Sequence, residues 1–227
     1  MNYLYLLFDA DDTLFDFPRA SARAFHIMCR KHGIPDTPEV YALYHNINLE
    51  LWAAFDRGEV SKDFVTLERY VRFLKALDLK ADPAACNRDY LEALGQRAYP
   101  LPYALETCKT LHERGHQLYI ITNAVASVQR KRLENSPFAP LISGAFISEE
   151  AGASKPSRAY FDYVRSQLPG ITPENTLVIG DSLATDMRGA NNAGLPCCWV
   201  NPGGLPRPTD LRLDYEIQDL RGLLPIV

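Results

Sequence analysis

Tyr3-Leu4-Tyr5-Leu6-Leu7-Phe8-Asp9-Ala10-Asp11-Asp12-Thr13-Leu14-Phe15 opens on a short apolar run and passes straight into acids. A run of this length without polar alternation predicts a strand buried on both faces of a parallel sheet. Its acidic continuation then lies at the carboxyl end of a strand, where open α/β sheets bind ligands. Four later runs share the profile, at 118–121, 145–147, 176–179 and 197–200. Helical periodicity fills the intervals at 103–114, 125–135, 157–168 and 184–193. Strand and helix in alternation predict an α/β fold built on a doubly wound, Rossmann-like parallel sheet.

Residues 16–100 follow another rule, because apolar residues recur there at spacings of three and four with no strand-like run. Pro18, Pro38 and Pro83 stand where a first helical turn begins, Thr37 and Asp82 suit N-caps, and Ser61 starts a further helix. Gly33 and Gly58 fall where helices end, so the block holds four helices. Removing it leaves about 140 residues, an ordinary size for one α/β domain. The expected organisation is a core of residues 1–15 and 101–227 with a helical cap inserted at 16–100, overhanging the strand end as a candidate lid.

The chain has 227 residues, 47% hydrophobic and 23% charged, with a net charge of −4. That composition belongs to ordinary globular proteins and has the wrong sign for a protein that neutralises a nucleic-acid backbone. The first apolar run lacks a basic flank and meets Asp9, so it reads as neither signal peptide nor membrane span. The expected setting is the cytoplasm, as a monomer or at most a weak dimer, with no membrane and no nucleic-acid polymer as partner. Five scattered cysteines, two of them adjacent, read as reduced core residues. No P-loop and no G-x-G-x-x-G occurs, so any phosphate chemistry uses another device.

That device is acidic. Asp9, Asp11 and Asp12 close the first strand, and Asp181 closes the run 176–179 through Gly180. Two such carboxylates about 5 Å apart repel by roughly 3 kcal/mol at an effective dielectric near 20, so a cation or a proton belongs between them. All-oxygen donors select a hard ion, and Mg²⁺ is the usual one where phosphate completes the shell. Each Asp taken alone also suits an Asx turn or a helix cap, as does Asp186 at a helix start. Thr122-Asn123 ends another strand, and Lys155 precedes Pro156 before a helix; each alone also fits an ordinary turn or a solvated surface.

Four segments in order, Asp9-Ala10-Asp11-Asp12-Thr13-Leu14-Phe15, Ile121-Thr122-Asn123, Ser154-Lys155-Pro156 and Gly180-Asp181-Ser182-Leu183-Ala184-Thr185-Asp186, resemble the motifs of the haloacid dehalogenase superfamily. The helical block is similar to that family's type 1 cap. Asp11-Asp12 after Ala10, together with Asn48, Trp52, Phe55 and Gly58, resembles the noncanonical pyrimidine nucleotidases within it. The resemblance implies a phosphomonoesterase in which Asp9 is the nucleophile and Asp11 the general acid and base. It implies Mg²⁺ held by Asp9, the Asp11 backbone carbonyl and Asp181, with Asp186 steadying the metal or its waters. Thr122 and the Asn123 backbone would hold phosphoryl oxygens, Lys155 would bind phosphate and keep Asp9 ionised, and Thr13 would support the loop.

Substrate choice is assigned to Phe15, Phe17, Asn48 and Trp52. Aromatic rings offer a platform for a planar base, and an Asn amide suits the imide edge of a pyrimidine. The same rings also fit plain packing. The alternative substrates are small sugar phosphates. A dehalogenase is disfavoured because, by the resemblance, dehalogenases lack an acid two residues after the nucleophile. A phosphonate hydrolase would need a Schiff-base lysine, and Lys31, Lys62, Lys75 and Lys80 sit in no such motif. His112-Glu113-Arg114-Gly115-His116 matches H-E-x-x-H formally, but Gly115 places His116 off the helix. Arg130-Lys131-Arg132 reads as a solvated helix face.

Overall fold

The computed structural model describes residues 3–227, which divide into two compact units, one running to Phe17 and resuming at Ala98–Val227, the other Pro18–Arg97. β1 (Tyr5–Phe8) leads to four helices, α1 (Phe17–His32), α2 (Pro38–Asp56), α3 (Lys62–Ala76) and α4 (Pro83–Gly95). Their ends follow local chemistry. The side chains of Thr37, Ser61 and Asp82 accept hydrogen bonds from the backbone N–H of Val40, Phe64 and Ala84. Pro38 and Pro83 occupy first-turn positions that have no N–H to satisfy. Gly33 at φ 64° and Gly58 at φ 75° follow α1 and α2 in the left-handed region open to glycine.

The second unit buries an aromatic centre. Phe25, Tyr44, Tyr70, Phe73 and Tyr90 pack ring against ring, with centroids 4.7–6.5 Å apart. Arg69 lies among them, its guanidinium 4.8 Å from the Tyr90 ring and donating to the Asn48 and Asn87 side chains.

The first unit is the sheet. β2 (Gln117–Thr122), β3 (Ile142–Ile147), β4 (Thr176–Gly180), β5 (Cys197–Val200) and β6 (Tyr215–Ile217) join β1 in the order β3-β2-β1-β4-β5-β6, every pairing parallel. Phe8 pairs in register with Ile120 on one side and Ile179 on the other. Period two sends Leu6, Phe8, Ile120 and Ile179 to one apolar core and Leu7, Ile121, Val178 and Trp199 to the other. Both faces are therefore apolar, which is why the strand sequences show no alternation.

α5 (Ala104–Glu113), α6 (Ala126–Glu134), α7 (Ser148–Ala151), α8 (Arg158–Gln167) and α9 (Arg188–Ala193) connect the strands. The chain builds β1, β2 and β3 in one direction, then returns across β1 to start β4. This reversal makes the carboxyl ends of β1, β2 and β4 a topological switch point, where α/β sheets open a crevice.

Two expectations differ from what is found. The helix expected at 184–193 is split, because Leu183–Met187 form a wider turn in which the Met187 N–H reaches the Ser182 carbonyl five residues back. β6 and α7 carried too few residues to register in the periodicity. All five cysteines are unpaired and buried. His116 lies beyond α5, past Gly115 at φ 90°, and its Nδ1 donates to the Tyr3 carbonyl at 2.7 Å. Among the described residues no helix is long and apolar enough to cross a membrane.

Candidate active site

Three carboxylates meet at the switch point. Asp9 follows β1, Asp181 follows β4, and Asp186 sits on the wide turn after it; ligand atoms of all three lie within 4.8 Å of one another. The turn brings Asp186 back over its own strand. Its Oδ2 accepts the Ser182 N–H at 3.1 Å, and a Cβ on Gly180 would collide with its carboxylate. Only glycine at 180 leaves that space. Asp181 is set from both ends: the Thr13 hydroxyl donates to its Oδ1 at 3.2 Å, and the Trp199 indole donates to its carbonyl at 2.9 Å.

Lys155 is the cation of the cluster. Its Nζ donates to Asp9 Oδ1 and Asp186 Oδ1, each at 2.6 Å, and to the Ile121 carbonyl at 2.9 Å. Three donors meet three acceptors, so the buried ammonium is fully satisfied. Asn123 fixes the lysine in place. Its amide accepts from the Lys155 N–H at 3.0 Å and donates to the Lys155 carbonyl at 2.9 Å. Its side chain is thereby committed to the lysine loop, leaving only its backbone for the phosphoryl role expected of it. Thr122 is buried; its N–H donates to the Tyr160 hydroxyl and its Oγ1 accepts the Ala124 N–H.

Three acids against one lysine leave surplus negative charge. Burial pushes the Asp9 carboxyl well above its usual value, Lys155 opposes this, and Asp186 and Asp181 add to it. Burial, with the charges of Asp186 and Asp12, pushes Asp181 up to about 7. Burial disfavours the Lys155 ammonium, but Asp186 and Asp9 outweigh it and hold it protonated. A hard divalent cation relieves that surplus, and the oxygen-only donor set fits Mg²⁺. Asp181 keeps its Oδ2 for such an ion and Asp9 Oδ2 is left unengaged by Lys155, whereas both Asp186 oxygens already accept from Lys155 or Ser182.

Asp11 stands apart from the cluster. Its carboxylate, a quarter exposed, accepts at Oδ1 from Arg132 Nη1 at 2.5 Å. Arg132 corrects the expectation of a solvated basic face, since its side chain is 1% exposed. α6 turns Val128, Gln129 and Arg132 inward and leaves Arg130 and Lys131 in water. The signal was the spacing of 128, 129 and 132 on one helical face, which the run of three basic residues concealed.

The residues expected to meet substrate are not equivalent. Phe15 is fully buried, edge-to-face with Phe138 at 5.3 Å, so it is a core residue and offers no ligand surface. Asn48 is likewise turned into the second unit, where Arg69 donates to its Oδ1 at 3.0 Å. A buried guanidinium needs acceptors, and that need outranks the pyrimidine-reading role. Phe17 and Trp52 stay half-buried, Trp52 edge-to-face with Phe55 at 5.5 Å.

A family model of haloacid dehalogenase-like hydrolases matches residues 4–194. YfnB of Bacillus subtilis, a protein named no further than HAD-hydrolase, is 37% identical over 226 residues, covering 100% of this chain and 96% of its own. Its crystal structure, bound to magnesium, superposes with a TM-score of 0.92 and covers 99% of that chain. The pyrimidine 5'-nucleotidase PynA of Streptococcus pneumoniae is 32% identical, with 99% and 94% covered. The pyrimidine 5'-nucleotidase YjjG of Escherichia coli is 28% identical, with 98% and 97% covered.

Proposed function

The chain belongs to the haloacid dehalogenase-like hydrolases, and on that basis we propose that it is a Mg²⁺-dependent phosphomonoesterase that prefers pyrimidine nucleoside 5'-monophosphates. The observation that carries the reading is Asp9, a buried carboxylate at a strand end with one oxygen held by Lys155 and the other open to react. Asp9 Oδ2 attacks phosphorus, the ester P–O bond breaks, and an aspartyl-phosphate forms. Asp11 gives a proton to the departing oxygen, then takes one from the water that releases phosphate. Lys155 orients Asp9 and offsets phosphate charge. Asp9, Asp181 and the Asp11 backbone carbonyl would hold Mg²⁺, which when bound supplies charge neutralisation for nucleophile and phosphate.

The acid at position 11 favours phosphate esters over halides, because an alkoxide needs a proton to leave and a halide does not. The pyrimidine preference draws on the two relatives named as pyrimidine nucleotidases. Choice of ester we assign to the unit Pro18–Arg97, with Trp52 as its candidate contact, and five buried, unpaired cysteines suit a reducing cytoplasm.

The test is kcat/KM for UMP, dUMP and dTMP against purine monophosphates and sugar phosphates, with Mg²⁺ and with EDTA. Pyrimidine nucleotides should lead and EDTA should abolish turnover. A sugar phosphate ahead by about tenfold or more, a gap of roughly 1.4 kcal/mol in transition-state binding, would overturn the nucleotidase assignment. Full activity in EDTA would overturn the metal site.

A further inference from the structure

Arg132 is a buried charge to which the proposed reaction gives no role. Its Nη1 donates to Asp11 Oδ1 at 2.5 Å and to Gln129 Oε1 at 3.0 Å. Its guanidinium lies 5.1 Å from the Phe15 ring centroid and 5.9 Å from that of Phe17. Nε and Nη2 are buried without a hydrogen-bond partner. Burying two unpartnered donors costs stability, so a leucine or methionine would serve packing better than this arginine does. Its ion pair with Asp11 is what such a replacement would lose.

We propose that Arg132 is a positioning residue for proton transfer: by clamping Oδ1 of Asp11 it fixes the carboxyl so that Oδ2 is presented to the leaving-group oxygen. This rests on the phosphomonoesterase reading above. In the first step the Asp9 oxygen–phosphorus bond forms, the ester P–O bond breaks, and the Oδ2 proton passes to the leaving oxygen, giving an alcohol and the Asp11 carboxylate. In the second, the water oxygen bonds phosphorus as its proton passes to Oδ2 and the Asp9 oxygen–phosphorus bond breaks, which releases phosphate and restores the Asp9 carboxylate and the Asp11 acid. Phe15 and Phe17 confine the guanidinium, and Gln129 accepts from the same Nη1 that holds Asp11, so that nitrogen is fixed between two acceptors.

A clamp that acts through proton donation affects esters unequally. A nucleoside 5'-monophosphate releases an alkoxide that needs the proton; p-nitrophenyl phosphate releases a stable anion that does not. kcat/KM covers only steps up to leaving-group release, so hydrolysis of the shared phosphoenzyme does not mask the difference.

Arg132→Lys keeps the charge but, on a shorter side chain, does not place a donor where Nη1 lies between Asp11 and Gln129. Arg132→Met removes both unpartnered donors and is expected to fold, because partly exposed Asp11 can be solvated; a thermal midpoint confirms folding. In both variants kcat/KM for the nucleotide should fall about tenfold or more, with less than about threefold loss on p-nitrophenyl phosphate, part of the 10²–10⁴ that general acid catalysis supplies. Added to Asp11→Asn, Arg132→Met should cost the nucleotide less than about twofold more, as expected for residues acting as one unit.

Equal losses on both esters, or full additivity with Asp11→Asn, would overturn the positioning role and leave the phosphatase reading intact. A wild-type chain inactive on both esters in Mg²⁺ would overturn that reading and this inference with it.

Discussion

Asp9 and Asp11 are two residues apart, and the structure sends their carboxylates to different partners. Asp9 reaches Lys155 in the buried cluster, and Asp11 reaches Arg132 at its edge. In the proposed reaction these identical side chains take different parts, so their substitutions should differ in kind. Asp9→Asn should abolish turnover, since an amide is no nucleophile, while Asp11→Asn should slow the alkyl ester by about 10²–10⁴-fold. Single-turnover phosphate release from each variant measures both effects. Near wild-type turnover in Asp9→Asn would mean that no aspartyl-phosphate forms there.

Elements matter here mainly for what they aim at the crevice. α8 contributes Tyr160, whose hydroxyl accepts the Thr122 N–H at 3.1 Å and donates to the Phe146 carbonyl at 2.7 Å. One buried oxygen thus ties the ends of β2 and β3, one residue from the Ile121 carbonyl that Lys155 bonds. Tyr160→Phe leaves a buried N–H and a buried C=O unpaired. It should lower unfolding free energy by about 1–3 kcal/mol with little change in denaturant slope, measured by urea titration. A loss indistinguishable from zero would show that the pairing contributes nothing net. The wide turn at Leu183–Met187 works similarly, since a regular helix there would not return Asp186 to Gly180.

For the whole molecule, the acid cluster should make stability depend on pH and, on the proposed reading, on Mg²⁺ as well. A carboxyl whose pKa is raised on folding holds its proton in the folded chain after the unfolded chain has lost it. Stability is then greatest at low pH and declines as pH rises from the unfolded value to the folded one. Asp181, moved from 3.8 to about 7, sets that window between about pH 4 and pH 7, with a ceiling of about 4 kcal/mol. Asp9 shifts in the same direction. In EDTA this contribution should lower the thermal midpoint across that window, and saturating Mg²⁺ should remove most of the fall. A midpoint that ignores Mg²⁺ at pH 7 would mean the cluster binds no such ion.

Much of this was legible in the chain itself. Apolar runs without alternation announced the strands, and the acids and Lys155 sat at places that strand ends and loops make special, because both signals are short-range in sequence. Caps at Thr37, Ser61 and Asp82 were readable for the same reason. Which polar side chains are consumed inside the protein was not readable. Asn48 serves Arg69, the Asn123 amide serves Lys155, Phe15 is core, and Arg132 leaves its basic neighbours to meet Asp11, 121 residues earlier in the chain. Sequence by itself determined five of the six strands, the helical insertion and the acids at the strand ends, since backbone propensity and apolar periodicity act locally. Tertiary structure alone decided the partners of each buried charge, because an ion pair depends on which helix face meets the core, and that is set by packing across the whole fold.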